Sequence, residues 1–214
     1  LLDQAQASGE FESDKYQAEQ SLIQLNQLLD DIMVVADTSK GSAPVIPELC
    51  LLNEYLQPVF DNLRLRAMSQ SLSFIAEVAP SLCQAPLLTY PGLIRQILRH
   101  LTDNAFKFTP QGMVSVSILP LEKGLKIIVT DTGIGIPESK YEQILQPFAQ
   151  LESDANRHFG GAGLGLTITS HVVRMLGGRL EFAPQSGGGT IVSVNLPEVI
   201  ELDNEENQKK SAEN

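Results

Sequence analysis

Between residues 100 and 166 this chain repeatedly places polar or glycine-rich segments where ordinary secondary structure should end. That pattern limits the fold more than any other feature. The first segment is His100-Leu101-Thr102-Asp103-Asn104-Ala105-Phe106-Lys107. Here His100, Asn104 and Lys107 stand at i, i+4 and i+7 and share one helical face. The second is Asp131-Thr132-Gly133-Ile134-Gly135-Ile136, directly after an apolar run. The third is Gly160-Gly161-Ala162-Gly163-Leu164-Gly165-Leu166, directly before one. A fold must bring a helix face, a strand end and a glycine-rich helix start within reach of one another.

The surrounding periodicities describe that fold. Val114, Val116 and Ile118 alternate along a strand over residues 113–119, and Gly124 turns the chain into a second strand over 125–130. Further strands are expected over 48–52, 72–78, 87–89, 180–183 and 190–196. The last two flank Ser186-Gly187-Gly188-Gly189. Asn53 is expected to cap a helix whose apolar face uses Leu56, Val59, Phe60, Leu63 and Ala67. Pro91 suits the first turn of another, running to about residue 108. A short helix over 137–145 and one over 164–176, stopped by Gly177-Gly178, complete the set. Strands grouped with helices, without strict βαβ alternation, predict an α/β (α+β) two-layer sandwich: a mixed sheet with helices on one face.

A long coiled-coil-like helix precedes this sandwich. Over residues 14–39, Ala18, Leu22, Leu25, Leu29, Ile32 and Ala36 alternate by four and three, a heptad seam suited to packing against another helix. An amphipathic helix lying on its own domain would show a similar stripe. Lys40-Gly41-Ser42-Ala43-Pro44 breaks it, which sets expected domains at 1–42 and 43–199. Residues 200–214 form an acidic tail or linker. Residues 150–161 are polar and long for a connection, as in a mobile functional segment.

Composition removes several function classes. A formal net charge of −11 argues against a nucleic-acid surface. No apolar run approaches the roughly 20 residues needed to cross a bilayer, so membrane attachment would lie in segments outside these residues. Cys50 and Cys83 make neither a metal spacing nor a disulfide framework and read as buried free thiols, in keeping with a reducing cytoplasm.

Each polar segment has a chemical use and a plain alternative. An Asn carbonyl oxygen can ligate Mg²⁺ without repelling phosphates, and Lys107 can reach phosphate oxygens. A solvated helix face would look the same. Asp131 can accept a hydrogen bond from an exocyclic amino group such as adenine N6 while Gly133 and Gly135 admit the ring; so could an ordinary turn contain them. Free N–H groups at a helix start favour phosphate, although the spacing after Gly160 matches neither a dinucleotide fingerprint nor a P-loop.

Together these segments resemble the histidine protein kinases of two-component signalling, within the superfamily of type II topoisomerase, mismatch-repair and heat-shock chaperone ATPases. Residues 97–109 resemble the N box of that family, and Asp131-Thr132-Gly133-Ile134-Gly135-Ile136-Pro137 the G1 box. Ile144-Leu145-Gln146-Pro147-Phe148-Ala149-Gln150 resembles the F box, and Gly161-Ala162-Gly163-Leu164-Gly165-Leu166 the G2 box. Gly189-Thr190 resembles the closing glycine-threonine element. The resemblance implies ATP and Mg²⁺ as cofactors, with Asn104 on the metal, Lys107 on phosphates, and Asp131 on adenine in a pocket shaped by Gly133, Gly135 and Ile136. It implies that Phe148 anchors one end of a lid, and that Arg157, His158, Gly161, Gly163, Leu164 and Gly165 close over the triphosphate, with Thr190 beside the base. It further implies a homodimer through the helix at about 14–39 and a receiver domain as partner, in a cytoplasmic domain of a protein that can be anchored in the inner (plasma) membrane.

Three departures stand out. His100 occupies a position where these kinases commonly have Asn and their ATPase relatives a general-base Glu, which makes it a candidate catalytic residue and a source of altered efficiency. Leu145 and Ala162 replace a common Phe and Thr. None of His100, His158 or His171 lies in the phosphoacceptor context of the family, whose place in the topology is upstream of residue 1. The expected function is therefore the catalytic fragment of a sensor histidine kinase. The alternative is a non-catalytic module of the same fold that regulates a partner kinase.

Overall fold

The computed structural model describes residues 46–84, 86–149 and 163–197. The expected heptad helix, the tail beyond residue 200, and Arg157, His158 and Gly161 lie outside the described residues. The chain divides into Leu1–Pro44 and Val45–Asn214, and the description concerns the second unit alone.

Strand β1 (Glu48–Cys50) leads into helix α1 (Leu52–Ser69), then β2 (Ser73–Val78), β3 (Leu87–Thr89) and helix α2 (Pro91–Lys107). Next come β4 (Met113–Leu121), β5 (Gly124–Asp131), helix α3 (Gly165–Met175), β6 (Arg179–Pro184) and β7 (Thr190–Pro197). Five strands form one sheet in the order β2-β4-β5-β7-β6, while β1 and β3 form a separate antiparallel pair. β2 runs parallel to β4 and every other neighbour is antiparallel, so the sheet is mixed as expected.

Alternation dictates the layering. Val116, Val129 and Val192 sit in one cross-strand row, and Ile118, Ile127 and Val194 in the next. All six are buried. The same face receives Leu56, Phe60 and Leu63 from α1, Ile94, Ile97, Leu98 and Leu101 from α2, and Ile168, Val172 and Val173 from α3. Burying such side chains at about 25 cal/mol per Å² of apolar surface is the main force holding helices to sheet. The opposite face carries Ser73, Ile75, Ser115, Ser117, Thr130 and Ser193, none of them buried.

Three local expectations change. Asn53 is not a cap: the helix begins at Leu52, whose side chain is fully buried, and Leu51 occupies the cap position without a side-chain bond. Burial of Leu52 outweighs the modest gain from an Asn cap. The helix expected over 137–145 is two 3₁₀ turns, Glu138–Lys140 and Gln143–Leu145. Ile144 is the only buried side chain in these turns, and a short helix without a packed stripe is marginal. Cys50 and Cys83 are free but only half-buried.

Candidate functional site

Asp131 is the last residue of β5 and continues its inward row after Leu125, Ile127 and Val129, so the pleat that builds the core also turns this carboxylate under the helices. It is 8% exposed. Its Oδ1 accepts the backbone N–H of Gly133 at 2.9 Å and that of Thr190 at 3.3 Å. Among the described residues no donor meets Oδ2. Burial pushes the carboxyl above the usual carboxylate range, while the Gly133 and Thr190 N–H groups pull the other way.

The turn after Asp131 is drawn against the end of α2. The Ile134 N–H donates to the Phe108 carbonyl at 3.1 Å. A β-carbon on Gly133 would lie 2.1 Å from that same oxygen, so only glycine fits. Gly189 is equally constrained: its φ is +101°, and a β-carbon would lie 2.0 Å from the Asp131 carbonyl oxygen. Gly135 has φ +73° and faces the Gly189 backbone. Ile136 is half-buried, and Thr190, at 3% exposure, opens β7 beside Asp131.

Helix α2 supplies the second wall. Asn104 and Lys107 are half-buried on its last two turns. Burial lowers the Lys107 ammonium below its usual value, and its Nζ lies 4.8 Å from the centre of the Phe108 ring. His100 is 6% exposed, less open than a solvated helix face would leave it. The cause is α3: a β-carbon on Gly165 would lie 3.2 Å from His100 Nδ1, so the glycine-rich helix start rests on the imidazole. Arg99 Nη2 approaches His100 Nε2 at 3.4 Å.

The third wall is the start of α3. Leu164 holds the cap position and makes no side-chain bond to the first N–H groups of the helix, an end that favours an anion. Thr167 Oγ1 donates to the Leu145 carbonyl at 3.1 Å and ties this turn to residues 143–145. Gly163, at φ +69°, packs against the backbone of Phe148 and Ala149. Phe148 itself is 72% exposed with φ +61°.

The structure thus places His100, Asn104 and Lys107 along α2, with His100 against the Gly163-Leu164-Gly165 start of α3. Asp131, Gly133, Gly135 and Thr190 gather where the α2 end meets β5 and β7. It also adds the Phe108 carbonyl, which spacing did not single out, and shows what holds Gly189 of the glycine-threonine element to glycine. Gly189 had a legible signal, since three successive glycines precede an inward-facing strand. The Phe108 carbonyl had none, because a backbone contact leaves no side-chain trace.

Residues 89–200 match the family described as histidine kinase-, DNA gyrase B- and HSP90-like ATPases. The chain belongs to that ATPase family. Its relatives place it in the histidine kinase branch, as the catalytic ATP-binding domain of a sensor histidine kinase. The circadian input-output histidine kinase CikA of Synechococcus elongatus is 31% identical over 175 residues, covering 81% of this chain and 23% of the relative. The autoinducer 2 sensor kinase/phosphatase LuxQ of Vibrio cholerae is 46% identical over 113 residues, covering 51% of this chain and 13% of the relative. This chain therefore spans less than a quarter of either relative's length. Among solved structures, full-length ShkA in complex with AMPPNP matches with a TM-score of 0.65 at 26% identity, over 80% of this chain and 36% of ShkA. The Acinetobacter baumannii histidine kinase AdeS matches with a TM-score of 0.65 at 19% identity, over 82% and 79%, a likeness of fold. No helix among the described residues is long and apolar enough to cross a membrane.

The site fits the ligands of such a domain. Asp131 offers one oriented acceptor, and Gly133 and Gly189 leave out side chains that would crowd it. No group of three or more His, Cys, Asp or Glu among the described residues could hold a metal ion. The neutral side-chain oxygen of Asn104 suits a cation that takes its remaining oxygens from phosphates and water.

Proposed function

We propose that this chain binds Mg-ATP and transfers the γ-phosphoryl group to a histidine outside these residues, for relay to an aspartate of a receiver domain. The observation that carries the reading is Asp131. With Oδ1 held by two backbone N–H groups, Oδ2 is the acceptor left for the adenine amino group. The base then lies over Gly133 and Gly135, and its phosphates run along α2 toward the start of α3. Lys107 supplies a point charge there, and the N–H groups at the start of α3 favour the anion. Asn104 would ligate Mg²⁺, which supplies charge neutralisation on the phosphoryl oxygens. The chain's contribution is positioning and electrostatics, as in other phosphoryl transfers. Phe148, Arg157, His158 and Gly161 are assigned to the lid over the triphosphate. Residues 14–39 are assigned to homodimer formation, and any membrane anchor to segments outside this chain.

His100 favours one second reading, a non-catalytic module that regulates a partner kinase, because a buried imidazole replaces the amide common at that position. Magnesium-dependent ATP titration separates the two, since negligible affinity would favour the regulatory module. Label from γ-phosphate-labelled ATP should pass to a longer chain that includes an upstream hairpin helix. An ATP-binding, folded protein that leaves such a chain unlabelled would overturn the transferase.

A further inference from the structure

Helices α1 and α2 carry matched contacts. Arg95 of α2 lies over the Tyr55 ring of α1, its Cζ 5.9 Å from the ring centre. Further along, Arg66 of α1 lies over the Phe106 ring of α2 at 5.0 Å. Eleven residues separate Tyr55 from Arg66 and Arg95 from Phe106. That is about three whole turns, so the helices run parallel and both contacts fall on one seam. The second contact has an added ion pair: Arg66 Nη1 also donates to Asp103 Oδ1. One guanidinium thus holds a carboxylate and a ring at i and i+3 of α2, and Phe106 in turn leans on Phe74 of β2, ring centres 5.8 Å apart. Asn104 and Lys107 follow those two residues by one position each, so they repeat the spacing about 100° round the same helix.

We propose that Arg66 is a positioning residue for the phosphate side of the site: its guanidinium sets the rotation of the last two turns of α2 and so where Asn104 and Lys107 stand. The inference rests on the ATP reading and deepens it. The Arg66 and Asp103 side chains are 36% and 45% exposed, so their pairing adds little to stability and its effect is geometric. The apolar stripe of α2 fixes the depth of the helix on the sheet. The polar clamp on its flank resists rotation about its own axis, a motion that would carry Asn104 and Lys107 together. The base, held by Asp131 at the end of β5, depends far less on that rotation.

The test titrates ATP and adenosine into three variants and a control. Arg66→Met keeps the apolar stem and removes the guanidinium, and Asp103→Asn keeps the shape and removes the charge. Each should weaken ATP binding about fivefold and leave adenosine within about twofold of the parent. The double variant should lose no more than either single one, because both break one link. Arg95→Met breaks the matching contact with Tyr55, away from Asn104 and Lys107, and should leave both affinities within about twofold. Tighter ATP binding by D103N, with the double variant back at the parent value, would show that Arg66 acts as a charge alone and would overturn the proposal. So would unchanged ATP affinity in R66M, equal losses in R66M and R95M, or an adenosine loss as large as that for ATP. A parent protein that binds no ATP would sink the nucleotide reading and this role with it. Should R66M fold poorly, D103N decides: a fivefold loss confined to ATP supports the link, and any other result refutes it.

Discussion

The carbonyl oxygen of Phe108 lies 2.1 Å from where a β-carbon on Gly133 would stand, and the same oxygen accepts the Ile134 N–H. One backbone atom at the end of α2 therefore fixes both the identity and the position of the turn that follows β5. Two sequence segments 25 residues apart act as one wall of the site.

Gly133→Ala should break that wall. The added methyl must displace backbone, and overpacking of this kind costs about 1–3 kcal/mol. Thermal melting should show the loss, together with weakened ATP binding. Gly92→Ala is the control, because nothing lies within 4 Å of a β-carbon there and the position is helical. It should melt no lower than the parent.

Asp131→Asn should separate stability from recognition. Burial raises the Asp131 carboxyl, so the ionised group opposes folding. That cost is complete above the folded-state value and vanishes once pH falls below the ordinary carboxylate value. At neutral pH the variant should melt no lower than the parent, and the parent should gain on it as pH falls through this window. ATP affinity should nevertheless drop about tenfold or more, because an amide donor would now face the adenine amino group. Melting curves across pH and nucleotide titrations check both halves.

Lys107→Met should affect phosphates and not the base. The ammonium is partly desolvated, and its usual value is lowered by burial alone. Removing it should leave the nucleotide-free fold intact. Affinity for ATP should fall about tenfold while that for adenosine stays within about twofold. Equal losses for both ligands in calorimetry would place Lys107 elsewhere in the mechanism.

His100 and Gly165 should behave as a coupled pair. Gly165→Ala presses a methyl to 3.2 Å from His100 Nδ1, and His100→Ala removes the obstacle. Singly, each should destabilise the protein in urea. Together they should cost less than their sum by about 0.5–2 kcal/mol, as for residues in contact. Additive losses would mean that the α3 start does not rest on the imidazole.

Much of the candidate site's arrangement was legible because its residues coincide with secondary-structure punctuation. Asp131 ends a run whose alternation already turned it inward, and Asn104 and Lys107 fall on one helical stripe. The local errors have a common physical origin. Asn53 has the right chemistry for a cap, but the buried Leu52 starts the helix one residue before it. Residues 137–145 carry helical residue types without a stripe to bury, so only 3₁₀ turns form. In both cases tertiary packing outweighs a local preference of a kilocalorie or less.

By itself, then, the amino-acid sequence determined the mixed sheet with helices on one face, the order of the boxes and the candidate ligand groups, because periodicity and spacing are local properties of the chain. Tertiary structure alone decided that His100 lies under Gly165 and that Phe108 meets Gly133. Those relations depend on close approach between segments far apart in the chain. Backbone atoms and excluded volume set them, and neither leaves a pattern in the order of residues.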